Sequence, residues 1–310
     1  MGINQPGEME KLSYTGHPDI ALILNVHAAH LEFLKTYQNV ISEKAKIFNH
    51  LKNKQSAIVP ADNPDLYSLA CQKGLKPYTF THVSEIDADV TLKKYSVEKT
   101  STNTVTILCH NTAGRDLKIH LHAVGMQFII DAIAAIAVAL KAGVNESDII
   151  TGLEAFQPVE GRFHQVITWP FILIDDTYNA NVESMKAAIE AVSTFFASYR
   201  KILVLADMKE LGTFSDNAHI EIGKTIRTST CDILVTYGDN AKIISDTALQ
   251  NGFSVKNIYH ASSHKEILDF LKHHLKENDC VLIKGSHSMK MDTIISELRT
   301  HIFDNDNLRK

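Results

Sequence analysis

Residues 201–207, with the sequence KILVLAD, form a short apolar run that ends in a carboxylate, and this pattern decides the fold of the second half of the chain. Four similar runs lie around it, separated by helix-length segments with apolar residues on one face. Short apolar strands that alternate with helices predict a mainly parallel, doubly wound sheet. The other runs are ILIDD (172–176), DILVTYG (232–238), NIYHA (257–261) and CVLIKGS (280–286), and helices are expected near 183–196, 216–229, 239–251, 263–275 and 288–300.

Polar clusters follow several of these strands, at the strand end where α/β proteins bind their ligands. Residues 175–181, DDTYNAN, place two carboxylates, a hydroxyl, a phenol and two amides between a strand and a helix. Asn181 could cap that helix, but the remaining polarity exceeds what a cap needs and suits a hydroxylated or phosphorylated ligand. Residues 284–286, KGS, offer a cation and backbone amides ahead of a helix, which is typical of an anion site.

The apolar residues in the first half of the chain have a different spacing. Residues 89–124 alternate with period two through three runs separated by turn residues, which predicts an antiparallel meander. The change in the spacing of apolar residues predicts a domain boundary near Pro158, so that residues 1–158 and 159–310 form separate domains. Before the meander, strands are expected at 20–26 and 56–59 and helices at 37–51 and 62–74, the latter with Asp62 as N-cap and Gly74 as C-cap; helices at 126–143 and 146–156 follow the meander.

Composition excludes several classes of protein. The 31 basic and 36 acidic residues give a net charge of −5, so no basic excess points to nucleic acid. The longest apolar stretch, Phe128–Leu140, is too short to span a bilayer, and the N-terminus lacks the features of a signal peptide. The four cysteines lie far apart, which is typical of reduced thiols in the cytoplasm. The sequence therefore predicts a cytoplasmic enzyme or binding protein without nucleic-acid or membrane partners.

One motif that suggests a phosphate site has a simpler explanation, and few of the histidines suggest a metal site. Residues 223–225, GKT, resemble the end of a phosphate-binding P-loop, but Ala218 replaces the required earlier glycine and no strand precedes the motif. We therefore interpret Gly223 as a glycine within a helix. Among the sixteen histidines, only His27 and His30 follow an apolar strand directly, where a ligand role fits the chemistry of α/β proteins.

An ordered set of short motifs extends along the whole chain. The set comprises GINQPGE (2–8), Asn25 with AHLE (29–32), KAKIF (44–48), GRF (161–163), DDTYNAN (175–181), DMKELG (207–212) with His219, and KGSHSM (284–289). Together these motifs resemble the Mur ligases, ATP-dependent enzymes that build the peptide stem of peptidoglycan. DDTYNAN with DMKELG favours the branch that adds D-alanyl-D-alanine, and the sequence has no counterpart of the DNPR motif of the diaminopimelate- or lysine-adding branch.

The resemblance implies a fold, an activity and a set of site residues. The fold is α/β: a truncated central Mur-ligase ATPase domain, whose mixed sheet contains the meander, followed by a doubly wound, Rossmann-like C-terminal domain. The activity is ligation of D-alanyl-D-alanine to UDP-N-acetylmuramoyl-tripeptide through an acyl phosphate, with ATP and Mg²⁺. The resemblance makes Lys44 the carbamylated catalytic lysine and His30 a magnesium ligand, assigns the nucleotide to Arg162, Asp176, Tyr178 and Asn181, and assigns substrate to Asp207, Glu210, Lys284 and Ser286.

Two further expectations concern the chemistry that this family uses. Carbamylation needs a neutral amine, so burial and the neighbouring Lys46 are expected to depress the pKa of Lys44. The linker near Pro158 is expected to be a hinge, because the C-terminal domain of this family closes on the central one.

The chain also departs from the family pattern. The family has an N-terminal UDP-sugar domain, a phosphate loop and a metal-binding glutamate before the segment that Gly2 begins, so we expect this chain to lack them and to be inactive alone. Phe128 and Asp131 stand where the family's nucleotide site has asparagines, and phenylalanine cannot hydrogen-bond a nucleotide. The alternatives are a non-catalytic remnant that keeps the fold, or one half of a split Mur ligase with a separate N-terminal half.

Overall fold

The computed structural model describes residues 1–26, 31–98, 104–111, 114–167 and 169–307, and these residues form two compact units. The first unit consists of Met1–Glu98, Thr104–His122 and Met126–Phe156, and the second consists mainly of Gln157–Lys310. Among the described residues, no helix is both long enough and apolar enough to cross a membrane.

The first unit contains a six-stranded sheet in the order β1-β2-β3-β4-β5-β6. The first four strands are parallel, and β4, β5 and β6 form the expected antiparallel meander. The strands are β1 (Ala21–Leu22), β2 (Ala57–Pro60), β3 (Tyr78–Thr81), β4 (Val90–Glu98), β5 (Thr104–Asn111) and β6 (Asp116–Leu121). The helices are α1 (Glu8–Gly16), α2 (Leu31–Leu34), α3 (Tyr37–Lys44), α4 (Pro64–Gln72), α5 (Met126–Lys141) and α6 (Glu146–Glu154), and a 3-10 turn, Ala45–Phe48, follows α3.

Several local expectations for the first unit were wrong. The strand expected at 20–26 pairs over only two residues, and the helix expected at 37–51 is an α-helix followed by the 3-10 turn. Asn63, not Asp62, caps α4: its side chain accepts a hydrogen bond from the backbone N–H of Leu66 at 3.0 Å. Pro64 explains the shift, because proline favours the first position of a helix and leaves the cap to the residue before it.

The second unit contains a six-stranded sheet in the order β11-β10-β9-β12-β8-β7. All five strands expected from the sequence are parallel, which confirms the doubly wound sheet, and β7 joins antiparallel at one edge. The strands are β7 (His164–Ile167), β8 (Ile172–Asp176), β9 (Arg200–Ala206), β10 (Ile233–Tyr237), β11 (Ile258–Ala261) and β12 (Asp279–Lys284). The helices are α7 (Val182–Phe195), α8 (Ser215–Thr228), α9 (Ala241–Gln250), α10 (His264–His274) and α11 (Asp292–Asn307), with 3-10 turns at Gly212–Phe214, Val255–Asn257 and His287–Met289.

The path of the chain through the second sheet determines where its polar strand ends meet. From β8 to β11 the chain moves in one direction, and it then returns to insert β12 between β9 and β8. Right-handed crossovers therefore place α7, α8 and α9 on one face and α10 on the other. The face of α10 and α11 covers a core cluster that includes Val204, Val281, Ile267 and Ile294. The insertion of β12 brings the carboxyl ends of β9, β12 and β8 side by side.

Candidate functional site

The carboxyl ends of β8 and β12 are joined by a buried ion pair. Asp176 and Lys284 are register partners on these neighbouring parallel strands. The Lys284 ammonium lies 2.8 Å from Oδ2 of Asp176 and also donates to the backbone carbonyl of Asn179 at 2.9 Å. The Lys284 side chain is only 2% exposed, whereas that of Asp176 is 15% exposed. Asp176 is therefore the member of the pair that a ligand can reach.

The Asp176 carboxylate is held from two sides. Its Oδ1 accepts a hydrogen bond from the backbone N–H of Phe163 at 3.1 Å, while Oδ2 faces Lys284. Burial raises the pKa of Asp176, and the Lys284 ammonium opposes that shift. Each carboxylate oxygen has a second lone pair, so this group can still accept a hydrogen bond from a ligand hydroxyl.

Asp175 connects the GRF segment to the DDTYNAN segment, and sequence reasoning did not single it out. It is buried and accepts hydrogen bonds from the backbone N–H of Gly161 at 3.0 Å, the backbone N–H of Thr177 at 3.1 Å and the Thr177 hydroxyl at 2.7 Å. Gly161 has φ +76°, and a Cβ there would lie 3.2 Å from the backbone nitrogen of Tyr178. The position therefore requires glycine. The two consecutive aspartates were the only sign in the sequence that these two segments are linked.

Arg162 and Tyr178 form the exposed part of this cluster. The guanidinium carbon of Arg162 lies 4.0 Å from the centroid of the Tyr178 ring, a cation–π contact. Tyr178 is 53% exposed, so the pair presents a cation and an aromatic surface to solvent. Asn181 has a structural task, because its side chain accepts from the backbone N–H of Ser184 at 2.8 Å and caps α7 in a capping box.

Asp207, expected to bind substrate, holds the neighbouring loops together. It is 1% exposed, its Oδ1 accepts from the backbone N–H of Ala241 at 2.6 Å, and its Oδ2 receives the Lys209 ammonium at 2.7 Å. Asp207 thus caps α9 from the adjacent strand. Gly238 makes the approach possible, because a Cβ there would lie 2.4 Å from the Asp207 carboxylate.

The remaining substrate candidates differ in how accessible they are. Ser286 is buried, and its hydroxyl accepts from the backbone N–H of Lys209 at 2.8 Å, so it pins the loop that follows β9. Glu210 is exposed and has φ +62°. His219 fixes the same loop, since Nε2 accepts from the backbone N–H of Met208 at 3.1 Å while Nδ1 donates to the carbonyl of Ser215 at 2.7 Å. Of the four substrate candidates, Glu210 is the one presented to solvent.

Lys44 lies in the first unit, at the end of α3, and its environment suits a neutral amine. Its ammonium donates to the backbone carbonyl of Asn25 at 3.1 Å, and burial lowers its pKa. The contribution expected from Lys46 is not the cause, because that ammonium is paired with the Glu43 carboxylate at 2.6 Å. Burial of the Lys44 amine is therefore sufficient to shift its pKa in the direction that carbamylation requires.

The predicted magnesium site depends on histidines outside the part of the chain that the structure describes. His27 and His30 lie outside the described residues. Within the described ranges, no group of three or more His, Cys, Asp or Glu side chains is arranged to hold a metal ion.

The P-loop alternative does not fit the structure, whereas the interpretation of Gly223 as a helical glycine does. Gly223 lies within α8 and faces α9, where a Cβ would come within 2.5 Å of Thr247. It thus permits close contact of two helices and does not wrap a phosphate.

Phe128 packs within the first unit. Its ring lies 6.1 Å from that of Phe156, and Asp131 follows on the same helix with a pKa raised by burial. This part of α5 therefore carries an aromatic contact and a carboxyl group in place of the amides expected from the resemblance.

Comparisons with known proteins agree with the motifs. The family model of the Mur ligase middle domain matches residues 1–139, and the model of the Mur ligase, glutamate ligase domain matches residues 161–287. The UDP-N-acetylmuramoyl-tripeptide–D-alanyl-D-alanine ligase of Bacillus subtilis is 29% identical over 300 residues, which are 96% of this chain and 63% of that protein. The ligase of the same name from Haemophilus influenzae is 30% identical over 309 residues, 97% of this chain and 64% of that protein.

A solved structure shows the same similarity in three dimensions. A crystal structure of MurF from Acinetobacter baumannii superposes with a TM-score of 0.81 at 28% identity, covering 96% of this chain and 63% of that one. The chain thus spans somewhat less than two thirds of the length of these relatives.

Proposed function

This chain belongs to the Mur ligase family, and from that premise we propose that it supplies the middle and C-terminal parts of a ligase that adds D-alanyl-D-alanine to UDP-N-acetylmuramoyl-tripeptide. The observation that carries the proposal is the cluster at the carboxyl ends of β8 and β12. There Arg162, Tyr178 and Asp176 offer a cation, an aromatic ring and a fixed carboxylate on one strand end. Those groups match the phosphates, base and ribose of a nucleotide.

The proposed reaction forms an amide bond in two steps. ATP supplies a phosphoryl group to the carboxylate of the tripeptide, and the dipeptide amine then displaces phosphate from the resulting acyl phosphate. In this chain, Arg162 would neutralise charge on the nucleotide phosphates, and Asp176 would accept hydrogen bonds from the ribose hydroxyls. Tyr178 would contact the nucleotide through its exposed ring, and Asn181 would support the site indirectly by capping α7.

We propose that Lys44 acts as a carbamate, for which its lowered pKa is the supporting observation. Glu210 is the proposed contact for the dipeptide, because it is exposed, whereas Asp207 and Ser286 position the loop that carries it. His30 remains the proposed magnesium ligand, and no step is assigned to the metal because His30 lies outside the described residues. The domain boundary and hinge near Pro158 also remain proposals.

The test is phosphate release in the presence of ATP, Mg²⁺, the UDP-tripeptide and D-alanyl-D-alanine. We expect none from the 310-residue chain alone, because its sequence contains no G-x-x-G-K-[ST] loop to hold the β- and γ-phosphates. We expect release once a separately produced N-terminal segment of a relative is added, and we expect Lys44→Ala to abolish it. Release that does not require the dipeptide would refute the proposal, as would complete inactivity of the supplemented chain.

A non-catalytic role is the second candidate, and Phe128 and Asp131 favour it. Phe128 packs against Phe156 and presents no amide to a nucleotide. A remnant would bind adenine nucleotide or dipeptide without turnover, even when the N-terminal segment is supplied. Restoring asparagine at both positions separates the candidates, because an impaired ligase should gain rate whereas a remnant should stay inactive.

A further inference from the structure

The buried ammonium of Lys284 has no open path to a ligand. The side chain is 2% exposed, and it donates to the Asp176 carboxylate at 2.8 Å and the Asn179 carbonyl at 2.9 Å. Lys284 is directly opposite Asp176 in the register of β12 and β8, so the two side chains leave the sheet at the same place. A buried cation is stable only when its donors are satisfied, and here a carboxylate and a carbonyl satisfy two of its three.

Both partners of Lys284 belong to the DDTYNAN segment. Asp176 presents the carboxylate that we assign to the ribose, and Asn179 lies in the turn that leads to the capping residue of α7. The same carboxylate accepts the backbone N–H of Phe163, a residue with φ +51° next to Arg162. A single ammonium thus fixes the carboxylate through one contact and the following turn through another.

We propose that Lys284 is a positioning residue, which holds Asp176 ionised and oriented toward the nucleotide ribose without touching the nucleotide or the dipeptide itself. This inference rests on the proposed nucleotide site. It replaces the role of substrate ligand that the family resemblance implied, and it explains why a lysine lies buried at the end of a central strand.

The electrostatics of the site support this role. Burial raises the pKa of Asp176, Lys284 counteracts the rise, and Asp175 beside it adds to the rise. Without Lys284, the pKa of Asp176 would move higher still, so a larger fraction of the carboxyl would be protonated at a given pH. A protonated carboxyl has lost part of its capacity as a hydrogen-bond acceptor, and ribose recognition would therefore become dependent on pH.

The experiment compares the affinities of ADP and 2′,3′-dideoxy-ADP, whose ratio isolates the ribose hydroxyls. Calorimetry is carried out from mildly acidic to mildly alkaline pH on the full chain, Lys284→Met, Asp176→Asn and the double variant. In the parent we expect a preference for ADP of about tenfold, the effect of hydrogen bonds to one charged group, at every pH in the range. In Lys284→Met the preference should be smaller at the acidic end and should increase as the pH rises. In Asp176→Asn it should be absent throughout.

The double variant tests whether Lys284 acts through Asp176. It should behave as Asp176→Asn does, because the cation then has no carboxylate to position. It also controls for folding, since it buries no unpaired charge: if Lys284→Met fails to fold but the double variant folds, the dependence of one residue on the other is demonstrated directly.

Two results would overturn the inference while leaving the nucleotide site intact. One is a parent-like, pH-independent preference for ADP in Lys284→Met. The other is a further loss of ADP affinity in the double variant beyond that of Asp176→Asn, which would mean that Lys284 contacts the nucleotide. A parent chain that shows no preference for ADP over the dideoxy compound would instead refute the proposed nucleotide site, and the positioning role with it.

Discussion

Replacing Gly223 with alanine tests whether this glycine serves helix packing or phosphate binding. The added Cβ would lie 2.5 Å from Cβ of Thr247, 2.9 Å from its Cγ2 and 2.8 Å from the carbonyl oxygen of Ile244. Normal contacts between carbon atoms are about 3.5–4.0 Å, so α8 and α9 must move apart. The carbonyl belongs to the backbone and cannot rotate away, so a side-chain movement alone cannot relieve the clash.

The expected loss of stability follows from two opposing effects. Overpacking of this kind costs about 1–3 kcal/mol, and the rigid carbonyl places Gly223→Ala toward the upper end. The greater helix propensity of alanine offsets about 1 kcal/mol of this loss of stability. We therefore expect Gly223→Ala to lower the free energy of unfolding by about 1–2 kcal/mol.

Urea unfolding followed by circular dichroism measures the effect, and Gly152→Ala is the matched control. Gly152 also lies inside a helix, α6, but its Cβ would have no neighbour within 4 Å. That substitution should therefore stabilise its unit by about 0.5–1 kcal/mol. If Gly223→Ala stabilised the protein as Gly152→Ala does, the packing explanation would be refuted. If it instead abolished ADP binding while stability was unchanged, the phosphate-loop explanation would have to be reinstated.

Three further predictions test other parts of the structure by urea unfolding. Asp175→Asn should lower the free energy of unfolding by about 1–3 kcal/mol, because one amide cannot accept all three hydrogen bonds of the carboxylate; an unchanged midpoint would contradict this. Arg200→Met should lower the free energy of unfolding by about 3 kcal/mol, because it leaves the Asp279 carboxylate, which is 1% exposed, without its cation. Lys242→Met is the control: it breaks an ion pair whose two side chains are both exposed, and it should change the free energy of unfolding by less than about 1 kcal/mol. Equal effects of the two substitutions would refute the distinction between buried and exposed pairs. Asp131→Asn should stabilise the first unit only slightly near neutral pH, because the side chain is exposed and solvent screens much of the effect. Because the folded protein raises the pKa of Asp131, the folded state binds the proton more tightly than the unfolded state does. The stability advantage of the asparagine variant should therefore shrink as the pH falls through that raised pKa. A stability difference that does not vary with pH would contradict the shift.

The sequence alone determined most of the second unit. Four of its five parallel strands, β8, β9, β10 and β12, are buried along most of their length, so they read as continuous apolar runs. The meander was equally clear, because apolar and polar residues largely alternate along β5 and β6. The elements that sequence reasoning missed, α1, α2, β3 and β7, are short and carry little periodicity: α1 buries only Met9 and Ser13. Such segments are ordered by the surface they pack on and not by their own pattern.

The candidate site divides in the same way. Motifs identified its residues, because the chemistry of carboxylates, lysine and arginine is a property of the side chain itself. What each residue does there depends on its neighbours, and only the tertiary structure supplies these. The order of the sheet places β12 between two strands that precede it, and this brings Lys284 opposite Asp176, far away in the sequence. The close approach of Gly238 likewise makes the Asp207 carboxylate a cap of α9. No spacing along the chain encodes such pairings, because strand order and register arise when the whole sheet packs.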